Sequence, residues 1–261
     1  MKFKQFLSEE KYKLKDVFDP IFQDCSEFLK ESKGEPLFRG QNNTDHYIFS
    51  SRVYRKNKDI SEMNSGLFNL YIEEKFKLKS FRNNHAVFAT GWHNIVDMYG
   101  TPMFMFPCDG YKYLWSPTVK DFLSKGVGMR HALEDKLDID VDGLSVILQL
   151  RDYADENDSN AFTVDEFKKL KIDVIYTGKK EKQSVNAWEL IQPHINQFFD
   201  NAKYEMNDLP KAIKSHNEII FKTEKYYAVP VEKVLVYYGS NKQHSKEKID
   251  HVYSKFLKDI T

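Results

Sequence analysis

Short β-prone runs, each cut off by glycine, proline or a charged turn, share this chain with longer stretches whose apolar residues recur at every third or fourth position. The runs are Pro36-Leu37-Phe38-Arg39-Gly40, Ala86-Val87-Phe88-Ala89-Thr90, residues 101–106 up to Pro107, and then 218–221, 226–229 and 234–238 near the C-terminus. Brief apolar runs between turn signals specify strands, whereas three-to-four spacing specifies amphipathic helices. A chain that carries both must fold as an α+β protein.

The helical stretches can be placed in order. Leu14, Val17, Phe18, Ile21, Cys25, Phe28 and Leu29 form one stripe. Within it Asp19-Pro20 reads as a cap followed by a first helical position, which predicts two helices meeting there and a stop at Ser32-Lys33-Gly34. Residues 41–59 are polar and read as a loop with one amphipathic turn. Helical spacing returns over 61–79 through Met63, Leu67, Leu70, Tyr71 and Phe76, and residues 91–100 read as a short helix stopped by glycine. Residues 119–210 are mainly helical, with apolar centres at 144–150 and 187–191 and a central strand expected at 174–178. The tail from Lys242 carries Ile249, Val252, Phe256 and Leu257 on one stripe. The expected organisation is a leader and helical arm over 1–34, a domain over 35–241 with a helical insertion at 119–210, and a C-terminal helix over 242–261.

Across the 261 residues, 39 basic side chains balance 39 acidic ones, so the total charge demands neither nucleic acid, nor a membrane surface, nor a polyanionic partner. No apolar run approaches the roughly 20 residues that cross a bilayer, and the expectation is a soluble protein without a membrane partner. Cys25 and Cys108 lie far apart and outside any C-x-x-C spacing, which predicts free buried thiols. The eight histidines form no H-E-x-x-H or tight cluster, so no metal is expected.

A carboxylate fixed at the mouth of a strand can stabilise positive charge developing on a sugar, and Glu218, followed by Ile219-Ile220-Phe221, has that position. Arg39 ends an apolar run, and a guanidinium fork matches two phosphate oxygens where lysine cannot. Gly40 beside it allows a close backbone approach to a ligand. The Thr90 hydroxyl can orient such a carboxylate or a ribose, with Asn94 four residues on to brace the turn. His216, two residues before Glu218, points to the same side of an extended strand.

Taken together, Pro36-Leu37-Phe38-Arg39-Gly40, then Val87-Phe88-Ala89-Thr90 with Asn94-Ile95 and Tyr99-Gly100, then Asn217-Glu218-Ile219-Ile220 followed by Tyr226-Tyr227-Ala228-Val229-Pro230, resemble the corresponding parts of phage mono-ADP-ribosyltransferases of the Arg, Ser/Thr, Glu class. The first stretch also resembles the motif of a Phe-Arg-Gly domain family. The resemblance leaves residues 108–210 unmatched. It implies a split, mixed β-sandwich of the ADP-ribosyltransferase type around an NAD cleft, with an N-terminal helical arm and a helical insertion. Glu218, Arg39 and Thr90 would be catalytic, with Arg39, Gly40, Phe88, Thr90 and Asn94 against NAD, which serves as substrate. His216 would face the acceptor, a host protein or nucleic acid. Two positions depart from the family pattern: Phe88 stands where a first hydroxyl is common, able instead to stack on a ring, and His216 stands where members carry Glu or Gln.

The start, Met1-Lys2-Phe3-Lys4-Gln5-Phe6-Leu7-Ser8-Glu9, is similar to the capsid-targeting leaders of internal head proteins of T-even-like phages, which are cut after a Leu-x-Glu triplet. That implies packaging in the virion interior, a phage capsid partner and release into the host cytoplasm. The alternative carried by the same residues is a non-catalytic internal head protein, or an inhibitor of host defence, on the same scaffold.

Overall fold

The sequence Met103-Phe104-Met105-Phe106 is apolar at every position, so a strand made from it must be covered on both faces and flanked on both edges. In the computed structural model it is: all four side chains are fully buried, and strand β4 (Thr101–Pro107) lies inside a four-stranded sheet. The structure describes residues 14–42, 49–52, 62–78, 86–121, 165, 168–174, 181, 183–239 and 245–260. In chain order the elements are α1 (Leu14–Asp24), α2 (Ser26–Glu31), β1 (Phe38–Gln41), β2 (Phe49–Arg52), α3 (Glu62–Phe76), β3 (Ala86–Ala89), α4 (His93–Val96), a 3-10 turn (Asp97–Tyr99), β4, β5 (Lys112–Trp115), β6 (Lys171–Val174), β7 (Gln183–Asn186), α5 (Ala187–Asp200), α6 (Leu209–Ser215), β8 (Ile219–Lys222), β9 (Lys225–Pro230), α7 (Val231–Tyr237) and α8 (Lys246–Ile260). The chain is an α+β protein. It divides into two compact units, the first made of residues 1–54, 87–117 and 205–261, the second of 55–86 and 118–204. The second unit thus contains most of the expected insertion and also α3.

In the first unit the large sheet has the order β1-β4-β9-β2, and a second sheet has the order β3-β8-β5. Every pair whose register is described runs antiparallel: Phe38 faces Phe104, Phe104 faces Val229, Phe49 faces Ala228 and Tyr113 faces Phe221. The sheets meet where Phe38 and Thr90 exchange backbone hydrogen bonds of 2.8 and 3.0 Å. One apolar core draws side chains from both, including Phe104, Val87, Ile219 and Phe221.

The N-terminal helices belong to that core. Phe104 and Phe106, two residues apart on one strand, share a face. The Tyr253 ring of α8 spans them at 4.8 and 6.2 Å, Phe28 of α2 meets Phe106 edge-on at 6.0 Å, and Phe18 of α1 meets Phe256 of α8 edge-on at 4.9 Å. The expected helical arm is therefore an integral layer. Nor do its helices part at Pro20, which sits inside α1; the break falls at Cys25, whose backbone leaves helical geometry and leads into α2. Continuous burial of Phe18, Ile21, Cys25 and Phe28 offsets the roughly 3 kcal/mol that an interior proline costs.

Two further expectations for this unit are corrected. Residues 234–238 form no strand: they lie in α7 and the turn after it, because Val231, Val234 and Leu235 are buried at helical spacing behind Pro230, while Val236 is 53% exposed. A valine-rich composition mimics a strand, but the buried period is that of a helix. The polar loop expected over 41–59 contains β2, an edge strand that completes the open side of β9. The leader over 1–9, with Leu7-Ser8-Glu9, lies outside the described residues.

In the second unit, α5 starts where the Asn186 side chain accepts from the backbone N–H groups of Trp188 and Glu189 at 2.9 and 3.1 Å. Its Trp188, Ile191, Ile195 and Phe199 are buried at helical spacing. Phe199 lies 5.2 Å from Phe68 and 4.9 Å from Tyr71 of α3, and Tyr204 closes the cluster 5.0 Å from Phe68. Lys75 and Tyr71 both donate to Asp200, at 2.5 and 3.0 Å. β6 reaches Val174, the first residue of the central strand expected at 174–178, and pairs with β7 in a two-stranded sheet, while residues 175–178 lie outside the described residues. The apolar centre at 144–150 lies outside the described residues.

Truncating Phe256 to Ala removes the ring that meets Phe18, and urea unfolding is expected to register a loss of about 3–5 kcal/mol. Val236→Ala on the exposed side of α7 is expected to change stability by less than about 0.5 kcal/mol in the same assay.

Candidate functional site

Arg39, Thr90 and Glu218 come from separate stretches, and the backbone brings those stretches side by side. The bridge between Phe38 and Thr90 sets β1 against the end of β3. The Thr90 hydroxyl, 7% exposed, then donates to the backbone carbonyl of His216 at 3.0 Å and accepts from the Trp92 N–H at 3.3 Å. Two residues beyond His216 stands Glu218, half-buried at the entrance to β8. Its backbone is fixed from both sides, by the Asn217 amide donating to the Ser116 carbonyl at 2.8 Å and by Ile219 pairing with Trp115.

Arg39 is half-buried on β1. Its Nη1 donates to the Phe88 carbonyl at 2.8 Å, and its guanidinium lies 5.7 Å from the centre of the Tyr226 ring. Its Nε is buried without a hydrogen-bond partner among the described residues. A buried, unsatisfied guanidinium nitrogen carries a desolvation cost that an anionic oxygen would relieve.

The other expected residues take distinct positions. Phe88 uses its backbone carbonyl to hold Arg39. Gly40 is indispensable for packing: a Cβ there would fall 2.5 Å from the Val96 carbonyl oxygen and 2.7 Å from Tyr99 Cβ, so the close approach is made by the chain's own turn. Asn94 is exposed on α4, and in the turn it was expected to brace the Thr90 hydroxyl bonds the His216 carbonyl and the Trp92 N–H. His216 is not on an extended strand; it caps α6 in a left-handed conformation, φ +61°. Its ring stacks on Trp92, with centroids 6.2 Å apart, and its Nε2 is 3.1 Å from Lys246 Nζ.

Burial, followed by the charge of Lys246, holds the His216 imidazole below its ordinary value. The neutral ring can accept from the Lys246 ammonium; the imidazolium would repel it. Trp92 is the residue that motif reading passed over. It is 42% exposed beside Gly91, whose missing Cβ lets the turn press against Ile213 of α6. Lys246, thirty residues from His216, has no sequence signal of its own.

An open groove of about 860 Å³ lies elsewhere in the first unit, between α2, β5 and the start of α6, and shares no lining residue with this junction. Tyr111 and Tyr113 project there and donate to the Glu31 carboxylate, and burial, followed by that carboxylate, pushes both phenols above their ordinary range. Among the described residues, no three His, Cys, Asp or Glu side chains assemble into a metal site, and no helix is long and apolar enough to cross a membrane.

Because the folded chain disfavours the proton on His216, the unfolded chain takes it up first as pH falls below about 6.5. Stability is therefore expected to decline from about pH 6.5 downward until the folded imidazole is itself protonated. His216→Gln should flatten that part of the profile, and ring-proton NMR should place the midpoint below 6.5. Thr90→Val should cost about 1–2 kcal/mol in urea unfolding, with Thr90→Ser retaining most of it.

No protein-family model, no curated protein and no solved structure matches this chain.

Proposed function

We propose that this protein transfers ADP-ribose from NAD to a host macromolecule, at a site formed by Arg39, Thr90 and Glu218. The observation that carries the reading is the path from Arg39 to the Phe88 carbonyl, along the chain to Thr90 and from the Thr90 hydroxyl to the carbonyl of His216, two residues before Glu218. The buried, unpaired Arg39 Nε fits an anionic oxygen such as those of a pyrophosphate. The two joined sheets support including in this proposal the split β-sandwich of the ADP-ribosyltransferase type.

NAD supplies an activated ribosyl group whose bond to nicotinamide carries the electron pair away with the neutral leaving base. Arg39 would anchor the pyrophosphate. Glu218, its backbone held by Asn217 and β8, would stabilise the positive charge left on the ribose, a kind of preorganised contribution typically worth about 3–4 kcal/mol of barrier. Thr90, through the His216 carbonyl, fixes the loop that delivers Glu218. An acceptor nucleophile, from a host protein or nucleic acid, would then bond to the ribose carbon and release its proton to solvent. Trp92 and His216, whose rings stack, would face that acceptor. Packaging in the virion and entry into the host cytoplasm, implied by the leader, belong to the same proposal.

A second reading, a non-catalytic binding protein, is favoured by one feature. The Thr90 hydroxyl and one Arg39 nitrogen are committed to carbonyls of the chain itself, and Phe88 replaces a family hydroxyl. Incubation with NAD and host lysate is expected to release nicotinamide and label an acceptor, with Glu218→Gln lowering the rate by about 10²–10³. An NAD concentration a hundredfold above its dissociation constant should stabilise the fold by about 2.7 kcal/mol, visible in a melting scan. The second reading predicts no NAD-induced shift, so the absence of both the shift and nicotinamide release would remove the first reading in its favour, and nicotinamide release would remove the second.

A further inference from the structure

Cys25 and Cys108 are 83 residues apart in sequence, yet their Sγ atoms lie 3.8 Å from each other. Both are free thiols. Cys25 is fully buried at the break between α1 and α2, where its Sγ also lies 3.4 Å from the Phe106 carbonyl oxygen. Cys108, just after β4, is partly exposed.

The segments bearing the sulfurs are clamped together. The Asp109 N–H donates to the Asp24 carbonyl at 2.7 Å, the Ser26 hydroxyl and the Glu27 N–H donate to the Asp109 carboxylate at 2.7 and 2.8 Å, and the Gly110 N–H donates to the Glu27 carboxylate at 2.7 Å. On the other side, the Cys108 N–H donates to the Lys225 carbonyl at 3.1 Å, while the Lys225 ammonium is tied to Asp24 at 2.9 Å. This lattice of hydrogen bonds holds the thiols in contact in the native fold. A disulfide has its sulfurs about 2.05 Å apart, so closure needs a further approach of under about 2 Å, within reach of side-chain rotation at the partly exposed Cys108.

We propose that Cys25 and Cys108 form a dithiol site that reacts with small-molecule disulfides, such as glutathione disulfide, and closes to an intramolecular disulfide. The Cys108 thiolate attacks one sulfur of the reagent, a mixed disulfide forms, and one thiolate equivalent departs. Cys25 then loses its proton and attacks Cys108 Sγ, which forms the protein disulfide and expels the second thiolate. The two protein sulfurs are oxidised, the reagent disulfide is reduced to two thiols, and the two protons end on those thiols. The order follows from the surroundings: a hydrogen bond from the Cys25 thiol and the Lys225 charge favour the Cys108 thiolate, whereas that shared hydrogen bond and burial disfavour ionisation of Cys25. The bond would close a loop that contains Arg39 and Thr90, restricting the unfolded chain and raising the melting temperature.

The experiment treats the full native chain with excess glutathione disulfide, blocks residual thiols by alkylation and maps the peptides by mass spectrometry. Loss of both thiols, a Cys25–Cys108 linked peptide, a monomeric product, a higher melting temperature and reversal by dithiothreitol are the expected results. Cys25→Ser should stop at a glutathione adduct on Cys108, and Cys108→Ser should leave Cys25 unreactive until the chain unfolds. A lasting glutathione adduct on Cys108 of the native chain with Cys25 still free, a dimer linked between chains, or no thiol loss at all would each overturn the proposal. The native chain alone distinguishes these outcomes, which therefore depend neither on the variants folding nor on the result with NAD.

Discussion

Two backbone hydrogen bonds between Phe38 and Thr90 are what the first unit turns on. They are the point at which the large sheet, through β1, meets the end of β3 in the smaller one. The Phe38 ring makes the contact durable, packing 5.4 Å from Phe104 and 5.8 Å from the His93 ring. A backbone pair sealed under apolar side chains is costly to break, since water cannot replace the lost partners. Everything proposed for Arg39 and Glu218 assumes that this junction persists.

Around it, polar side chains serve as fasteners for the backbone. Thr90 holds the His216 carbonyl, Asn217 holds that of Ser116 and Arg39 holds that of Phe88. These carbonyls lie in β3, at the C-terminal cap of α6 and just past β5. The same bonds immobilise the segments that carry Glu218 and Arg39. Scaffold and candidate site are in this sense one network, and the Arg39 Nε is a buried donor of that network left without a partner among the described residues.

Much of the architecture could be read residue by residue. β1, β4, β8 and β9 announce themselves because their apolar runs are short and end at glycine, proline or charged turns. The stripes of α1, α2, α5 and α8 declare a buried face by spacing. Reading fails where a neighbour decides: β2 is a strand because β9 offers it an edge, and α1 tolerates Pro20 because both sides of it are anchored in the core. α7 imitates a strand in composition, although counting from Val231 recovers its helical period. At the site, the order of Arg39, Thr90 and Glu218 is visible in the sequence, but Gly40 faces Val96 and Tyr99, and Asn94 faces solvent.

The amino-acid sequence by itself determined the α+β class, the double-sided burial of β4 and the identities of the polar residues at strand ends, since periodicity and side-chain chemistry act over a few neighbouring positions. Tertiary structure alone decided that Thr90 would grip His216, that Lys246 would reach the same imidazole, and that Cys25 and Cys108 would touch. Those contacts join residues dozens of positions apart, and only the burial of a shared core, which selects one packing of helices on sheets, brings them within hydrogen-bonding range.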